Sequence, residues 1–281
     1  MNEKLILACL LIGSGSLSSC WRVGRMVYRA DPIQVPCLTQ HGDKEVSAGA
    51  QFNASLRAVQ GGWNAGAAYA ITDCFSIQGQ FSRESGNEYG PNDIRQFVNI
   101  GPYSSAVYDS AFLSNRTTTW NLAEAYMLPL QGHRIYLSST LGAGSGYFLI
   151  RDNGRFHDTL YTAYLRASSF RCFLQEALCL RDKSSEVVVG VRWSINDYSK
   201  VRTNYSTEQQ LDFQLDSLDG NSLYMVQPFL LVRVNFGNPR WQLEFQSSIN
   251  MGSSNVAEGT YNYLWFNAGM GLTYHFYHQR S

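Results

Sequence analysis

From residue 45 onward, apolar and polar side chains alternate with a period of two. That is the pattern of strands whose two faces meet different surroundings. The last stretch is the clearest: Leu264, Phe266, Ala268, Met270, Leu272, Tyr274 and Phe276 share one face, and Asn267, Gly269, Gly271, Thr273 and His275 share the other. Trp241, Leu243, Phe245 and Ile249 alternate with Gln242, Glu244, Gln246 and Asn250 in the same way. Val187, Val189, Val191, Trp193 and Ile195 alternate with Glu186, Gly190, Arg192 and Ser194. The spacing predicts strands near 45–56, 62–71, 74–83, 117–128, 133–149, 160–181, 185–198, 222–236, 239–250 and 260–276, about ten in all.

Two turns fix registers. Closing Phe236-Gly237-Asn238-Pro239 sets Arg233 near Gln242 and Glu244, and closing Asp182-Lys183-Ser184 sets Gln175 near Arg192. In both cases the polar faces of the two strands coincide, which a slip of one residue would undo. Connections at 72–73, 129–132, 182–184 and 237–239 are short, whereas 84–116, 150–159 and 199–221 are long. Short turns on the periplasmic side and long loops outside are the asymmetry of outer-membrane barrels. The expected fold is therefore all-β, an antiparallel up-and-down transmembrane β-barrel over 45–281, with about ten strands and roughly eight to twelve allowed.

Composition strengthens the membrane reading. Charged residues are 16% of the chain and aromatic residues 14%, with 24 glycines; soluble domains carry about 25% charge. A soluble periplasmic barrel tethered to the membrane would show Lys and Glu on its outer face, where this chain has Leu, Phe, Trp and Val. The net charge of +0 offers no footprint for nucleic acid.

Ahead of the strands, a short polar start, an apolar run from Leu5 to Ile12 and small residues from Gly13 to Ser19 make a secretory signal peptide over 1–19. Leu17-Ser18-Ser19-Cys20 resembles the lipobox of bacterial lipoproteins, which implies cleavage before Cys20 and fatty acylation (palmitate-type chains) on it. Residues 20–44, with Pro32 and Pro36, read as lipid anchor and extended periplasmic tether. The segments Phe170-Arg171-Cys172-Phe173-Leu174-Gln175 and Glu186-Val187-Val188-Val189, with the closing strand Gly269 to Phe276, resemble small lipid-anchored outer-membrane β-barrel proteins. That resemblance implies a Gram-negative cell outer membrane, an anchor in its inner leaflet and loops exposed outside. It implies no activity.

Candidate chemistry is sparse. An outer-membrane hydrolase or acyltransferase needs a histidine near the outer surface. His41, His133, His275 and His278 fall at the periplasmic end, leaving His157 in a loop beside Asp158. Adjacent residues point in different directions, so no catalytic residue, metal or cofactor is assigned. Gln175, Arg192, Gln227, Arg233, Gln242, Glu244 and Gln246 are assigned to a hydrogen-bonded network in the lumen, with Glu124 a further candidate. Glu176 shares a face with Leu174 and Leu178, toward lipid; a bulge there is the favoured explanation, a place near the periplasmic interface or a covering protein the others. Cys37 and Cys74 should meet at the periplasmic rim as a candidate disulfide, whereas Cys172 and Cys179 have opposite parity and cannot bond. Asp109-Ser110-Ala111, Asp158-Thr159-Leu160 and Asp216-Ser217-Leu218 resemble a bacterial O-glycosylation acceptor, marking Ser110, Thr159 and Ser217; plain Asp-Ser and Asp-Thr turns are the alternative.

The expected function is that of a non-enzymatic outer-membrane barrel lipoprotein with a structural, surface-interaction or accessory-subunit role. Its expected partners are outer-membrane lipid and, in the accessory reading, another outer-membrane protein. The alternatives are an outer-leaflet lipid hydrolase or acyltransferase using His157, a narrow channel, and the soluble tethered barrel.

Overall fold

The computed structural model describes residues 31–54, 58–89, 112–131, 134–156, 159–212, 215, 218–256 and 259–276. Its strands are β1 (Lys44–Ala54), β2 (Ala58–Ala70), β3 (Phe75–Tyr89), β4 (Phe112–Gln131), β5 (Ile135–Phe156), β6 (Thr159–Arg181), β7 (Ser185–Thr203), β8 (Ser222–Phe236), β9 (Asn238–Val256) and β10 (Gly259–Phe276). They follow one another around the wall of a closed antiparallel barrel, and β1 pairs with β10 to complete it. Closure leaves no unpaired edge, the condition for strands to cross hydrocarbon. Arg233 pairs with Glu244 and Gln175 with Arg192, the registers that the two turns require. Gly237 sits at φ 70 in one of those turns, a conformation that side chains disfavour.

One end of the barrel has only tight turns, between β2 and β3, β4 and β5, β6 and β7, and β8 and β9. The other end carries the longer connections, including a short helix α1 (Thr207–Asp212) between β7 and β8. Ser206 and Gln209 cap α1 reciprocally: Ser206 N–H donates to Gln209 Oε1 at 2.9 Å, and Gln209 N–H to Ser206 Oγ at 3.2 Å. The long connection expected at 150–159 is instead mostly strand. β5 and β6 run to 22 and 23 residues, whereas crossing the bilayer takes about 9–11. The surplus pairs beyond the membrane because Ile150, Ala163 and Leu165 join a buried cluster with Leu113, Phe148, Tyr198, Leu223 and Met225.

The barrel is inside-out relative to a soluble protein. Leu122 and Leu141 on the outer face are 63% and 64% exposed, while Glu45 and Gln175 inside are 0% exposed. Such a surface is stable only against hydrocarbon. Aromatic rings collect toward the two rims. Trp63 and Phe81, 5.2 Å apart, lie on the long-loop side, and Trp241, Tyr274 and Phe276 stack at 4.6 Å spacings on the short-turn side. These are the girdles that mark membrane interfaces. Among the described residues no helix is long and apolar enough to cross a membrane.

Two outward residues depart from expectation. Glu176 does not sit on a bulge: it pairs regularly with Ser139 and Val191, and the irregularity in β6 lies between Arg166 and Ser168. Its carboxylate accepts from Ser139 Oγ at 2.7 Å, which meets part of its need on the lipid face. Glu124 is exposed on the outer wall and does not enter the lumen. The inward positions of that strand are Ala123, Ala125 and Met127, small or apolar because another part of the chain fills the space before them.

Candidate functional site

That filling is the segment Asp31-Pro32-Ile33-Gln34-Val35-Pro36-Cys37-Leu38, every residue of which is buried. The reading of 20–44 as a periplasmic tether is therefore corrected for these residues: they thread the lumen. The sequence suits a buried, unpaired strand. Pro32 and Pro36 bring no N–H for the lumen to satisfy. Ile33, Val35 and Cys37 pack against Met127, Tyr136, Ala177, Cys179, Val188, Phe229 and Leu231, and Leu38 against Ala68 and Ala70. Gln34 lies so close to Gly66 that a Cβ there would come within 2.6 Å of the amide nitrogen.

An isolated strand cannot lose its backbone hydrogen bonds in a dry interior. Side chains of the wall replace them. Gln227 donates to the carbonyl of Asp31 at 3.4 Å, and Gln80 to that of Pro32 at 3.1 Å. Ile33 N–H donates to Gln246 Oε1 at 3.0 Å, and Gln175 donates to the carbonyl of Gln34 at 3.1 Å. Arg233 reaches the carbonyl of Val35 at 2.8 Å, and Arg181 that of Cys37 at 2.5 Å. The bonds descend in order, from the middle of the barrel at Asp31 to the short-turn mouth at Cys37. Asp31 fixes the upper end: its carboxylate pairs with Arg171 at 2.7 Å and accepts from Thr119 at 2.8 Å and Asn121 at 2.6 Å.

Below the plug's midpoint lies a dense charge cluster. Arg233 contacts Glu244 at 2.8 Å, Glu186 at 3.2 Å and Glu45 at 3.5 Å. Arg181 adds a second cation to Glu186 at 3.1 Å. His275 bonds Gln242 at 2.9 Å and lies 3.8 Å from Glu45, and Gln242 donates to Asn235 at 3.0 Å. Higher up, Arg192 grips Gln175 at 2.7 and 3.0 Å and stacks 4.7 Å over the Phe173 ring. At the long-loop end, Asp152 accepts from Tyr161 at 2.9 Å and Tyr205 at 2.8 Å, tying the connection before α1 into the apolar cluster there.

All seven residues assigned to the lumenal network from sequence point inward, yet they form two groups rather than one. Arg233, Glu244 and Gln242 meet at the short-turn mouth, while Gln175, Arg192, Gln227 and Gln246 line the middle. Sequence reasoning placed Glu186 and His275 on the inward face but did not see their ion pairs, and it missed Glu45, Arg181, Arg171 and Asp31. Parity along β1 marks Glu45; nothing local marks Asp31 before the plug is known. Cys37 and Cys74 do not bond. The plug draws Cys37 inward to the apolar cluster that holds Cys179, while Cys74 stays in the turn before β3, its N–H donating to Thr72 Oγ1 at 3.3 Å. Cys172 is exposed on the outer wall and Cys179 buried inside. His41 is exposed at the short-turn end, with its N–H on Asp73 at 2.7 Å. Thr159 is exposed at the start of β6. Cys20, Ser110, Ser217, His133, His157 and His278 lie outside the described residues. Among the described residues no cluster of His, Cys, Asp and Glu is arranged to hold a metal ion.

No protein-family model and no curated protein matches the sequence. Solved structures match in shape. The outer membrane protease OmpT of Escherichia coli is 10% identical, with 86% of this chain and 99% of that one covered at a TM-score of 0.47. The translocator domain of the autotransporter NalP of Neisseria meningitidis is 9% identical, with coverage of 83% and 88% and a TM-score of 0.46. The attachment invasion locus protein Ail of Yersinia pestis is 10% identical, with coverage of 84% and 100% and a TM-score of 0.31.

Proposed function

We propose that the chain is a non-conducting, non-enzymatic outer-membrane barrel lipoprotein that serves as a surface-interaction protein or as an accessory subunit of a larger envelope assembly. The observation that carries the reading is the plug. Residues 31–38 occupy the lumen and exchange hydrogen bonds with β3, β4, β6, β8 and β9 of its wall, so the interior is committed to holding the chain itself. What remains for function is the outside. β5 and β6 carry paired backbone beyond the aromatic girdle on the long-loop side, a rigid platform of the kind that presents a surface. The lipobox-like Leu17-Ser18-Ser19-Cys20 supports acylation at Cys20.

Planar-bilayer recording of the purified full chain tests the central point. No stepwise conductance is expected; steady open-channel current would overturn the reading in favour of a pore. Metabolic labelling with an alkyne fatty acid should mark the wild type and not Cys20→Ala, and equal labelling of both would remove the lipoprotein. Lipid A composition should be the same in cells carrying His157→Ala as in wild type, since no catalytic role is assigned to that residue.

A further inference from the structure

We propose that Cys37 and Cys179 form a disulfide that fastens the plug to the barrel wall at the short-turn mouth. Four cysteines lie among the described residues, and they divide sharply. Cys172 faces outward and Cys74 sits in a turn, whereas Cys37 and Cys179 are 4% and 0% exposed within one apolar cluster of the lumen. Both are free thiols there, and both pack in the cluster with Tyr136 and Val188, the residues paired with Cys179 on either side. A disulfide of about 2.05 Å between them would form within that one cluster.

The surroundings hold both cysteines in place. Arg181 donates to the Cys37 carbonyl at 2.5 Å while its guanidinium lies 5.6 Å over the Tyr136 ring, so the segment's lower end is clamped beside β6. Cys179 belongs to a regular stretch of β6, paired with Tyr136 on one side and Val188 on the other. The bond would close a loop spanning most of the first six strands, a link between distant parts of the chain that constrains the unfolded ensemble strongly.

The chemistry balances as a two-electron oxidation. The thiolate of one cysteine attacks a disulfide of an extracytoplasmic thiol oxidant, a protein of the disulfide-donor class, and a mixed disulfide forms. The second cysteine, deprotonated, displaces the oxidant's sulfur from that mixed disulfide. One sulfur–sulfur bond is made, two protons leave the protein thiols, and the oxidant departs as its dithiol. Once docked, the Cys37 thiol is held well above its ordinary pKa by the hydrogen bond to Cys179 and by burial. Thiolate attack is therefore slow in the finished barrel and belongs to the time when the segment seats. The proposal rests on the envelope location proposed above, because disulfides persist in that compartment and are rare in the cytosol.

The test uses the full chain in its native membrane. Cells are quenched in acid, membranes are separated into inner and outer fractions, and the denatured protein is alkylated with N-ethylmaleimide before digestion without reductant. The expected result is a peptide pair joined through Cys37 and Cys179, released only by reductant, with maleimide on Cys74 and Cys172. Maleimide on both Cys37 and Cys179, or Cys37 joined to Cys74, would overturn the proposal. The fraction in which the protein is found reports the location separately, so a wrong address and a wrong bond are told apart. In Cys37→Ser, Cys179 should become alkylated; if it stays blocked, the pairing is wrong even where the cross-linked peptide escapes detection.

Discussion

The two ends of the lumen solve the same problem with opposite materials. At the short-turn mouth, Arg233 and Arg181 face three carboxylates from β1, β7 and β9, and the plug's carbonyls complete the shell. At the long-loop end, Leu113, Ile150, Leu165, Leu223 and their neighbours pack as an ordinary apolar core, with Asp152 the buried acid that two tyrosines satisfy. The difference follows from what each end encloses. A strand without partners needs donors, and guanidinium groups supply several at fixed angles. A folded loop satisfies its own backbone and asks only for apolar contact.

The comparison can be broken from the charged end first. Arg233→Ala removes the cation that Glu45, Glu186 and Glu244 share, with Arg181 remaining on Glu186, and a cost of about 3–5 kcal/mol is expected. Thermal unfolding in detergent, read by the heat-modified gel shift of intact barrels, measures it; a loss below about 1 kcal/mol would mean the cluster is not holding the mouth together. Asp31→Ala removes the carboxylate that Arg171, Thr119 and Asn121 hold and should open the plug locally by about 3 kcal/mol. Hydrogen exchange over residues 31–38 should accelerate while the strands stay protected. The apolar end should respond less: Asp152→Ala removes two tyrosine hydrogen bonds at about 1–3 kcal/mol, seen as protease nicking between residues 204 and 221. Smallest and opposite in sign is Glu124→Leu. Removing a carboxyl from the lipid-facing wall should stabilise the barrel by on the order of 1 kcal/mol in the same gel assay.

Much of the wall was legible in the sequence because lipid imposes a strict rule on every second residue. Phe266 to Phe276 announces its outer face without help from any other segment. Registers were legible where a tight turn met a polar face, as for Arg233 with Glu244. The plug was not. Its eight residues alternate too briefly to stand out from a linker, and what holds them is donors on strands far away in the chain, Gln80 and Gln175 among them. Glu124 misled for a related reason. Where Ala123, Ala125 and Met127 face the plug, the inner wall is as apolar as the outer, and alternation loses its contrast. The length of β5 and β6 was hidden because pairing beyond the membrane is rewarded by a core assembled from five strands.

The direction in which residues 31–38 run has a consequence for how the barrel is closed. The segment starts midway up the barrel and travels to the short-turn mouth before β1 begins, so the polypeptide enters its own wall from within. β1 is also the strand that closes the barrel on β10, so seating the plug and sealing the wall fall to one continuous piece of chain.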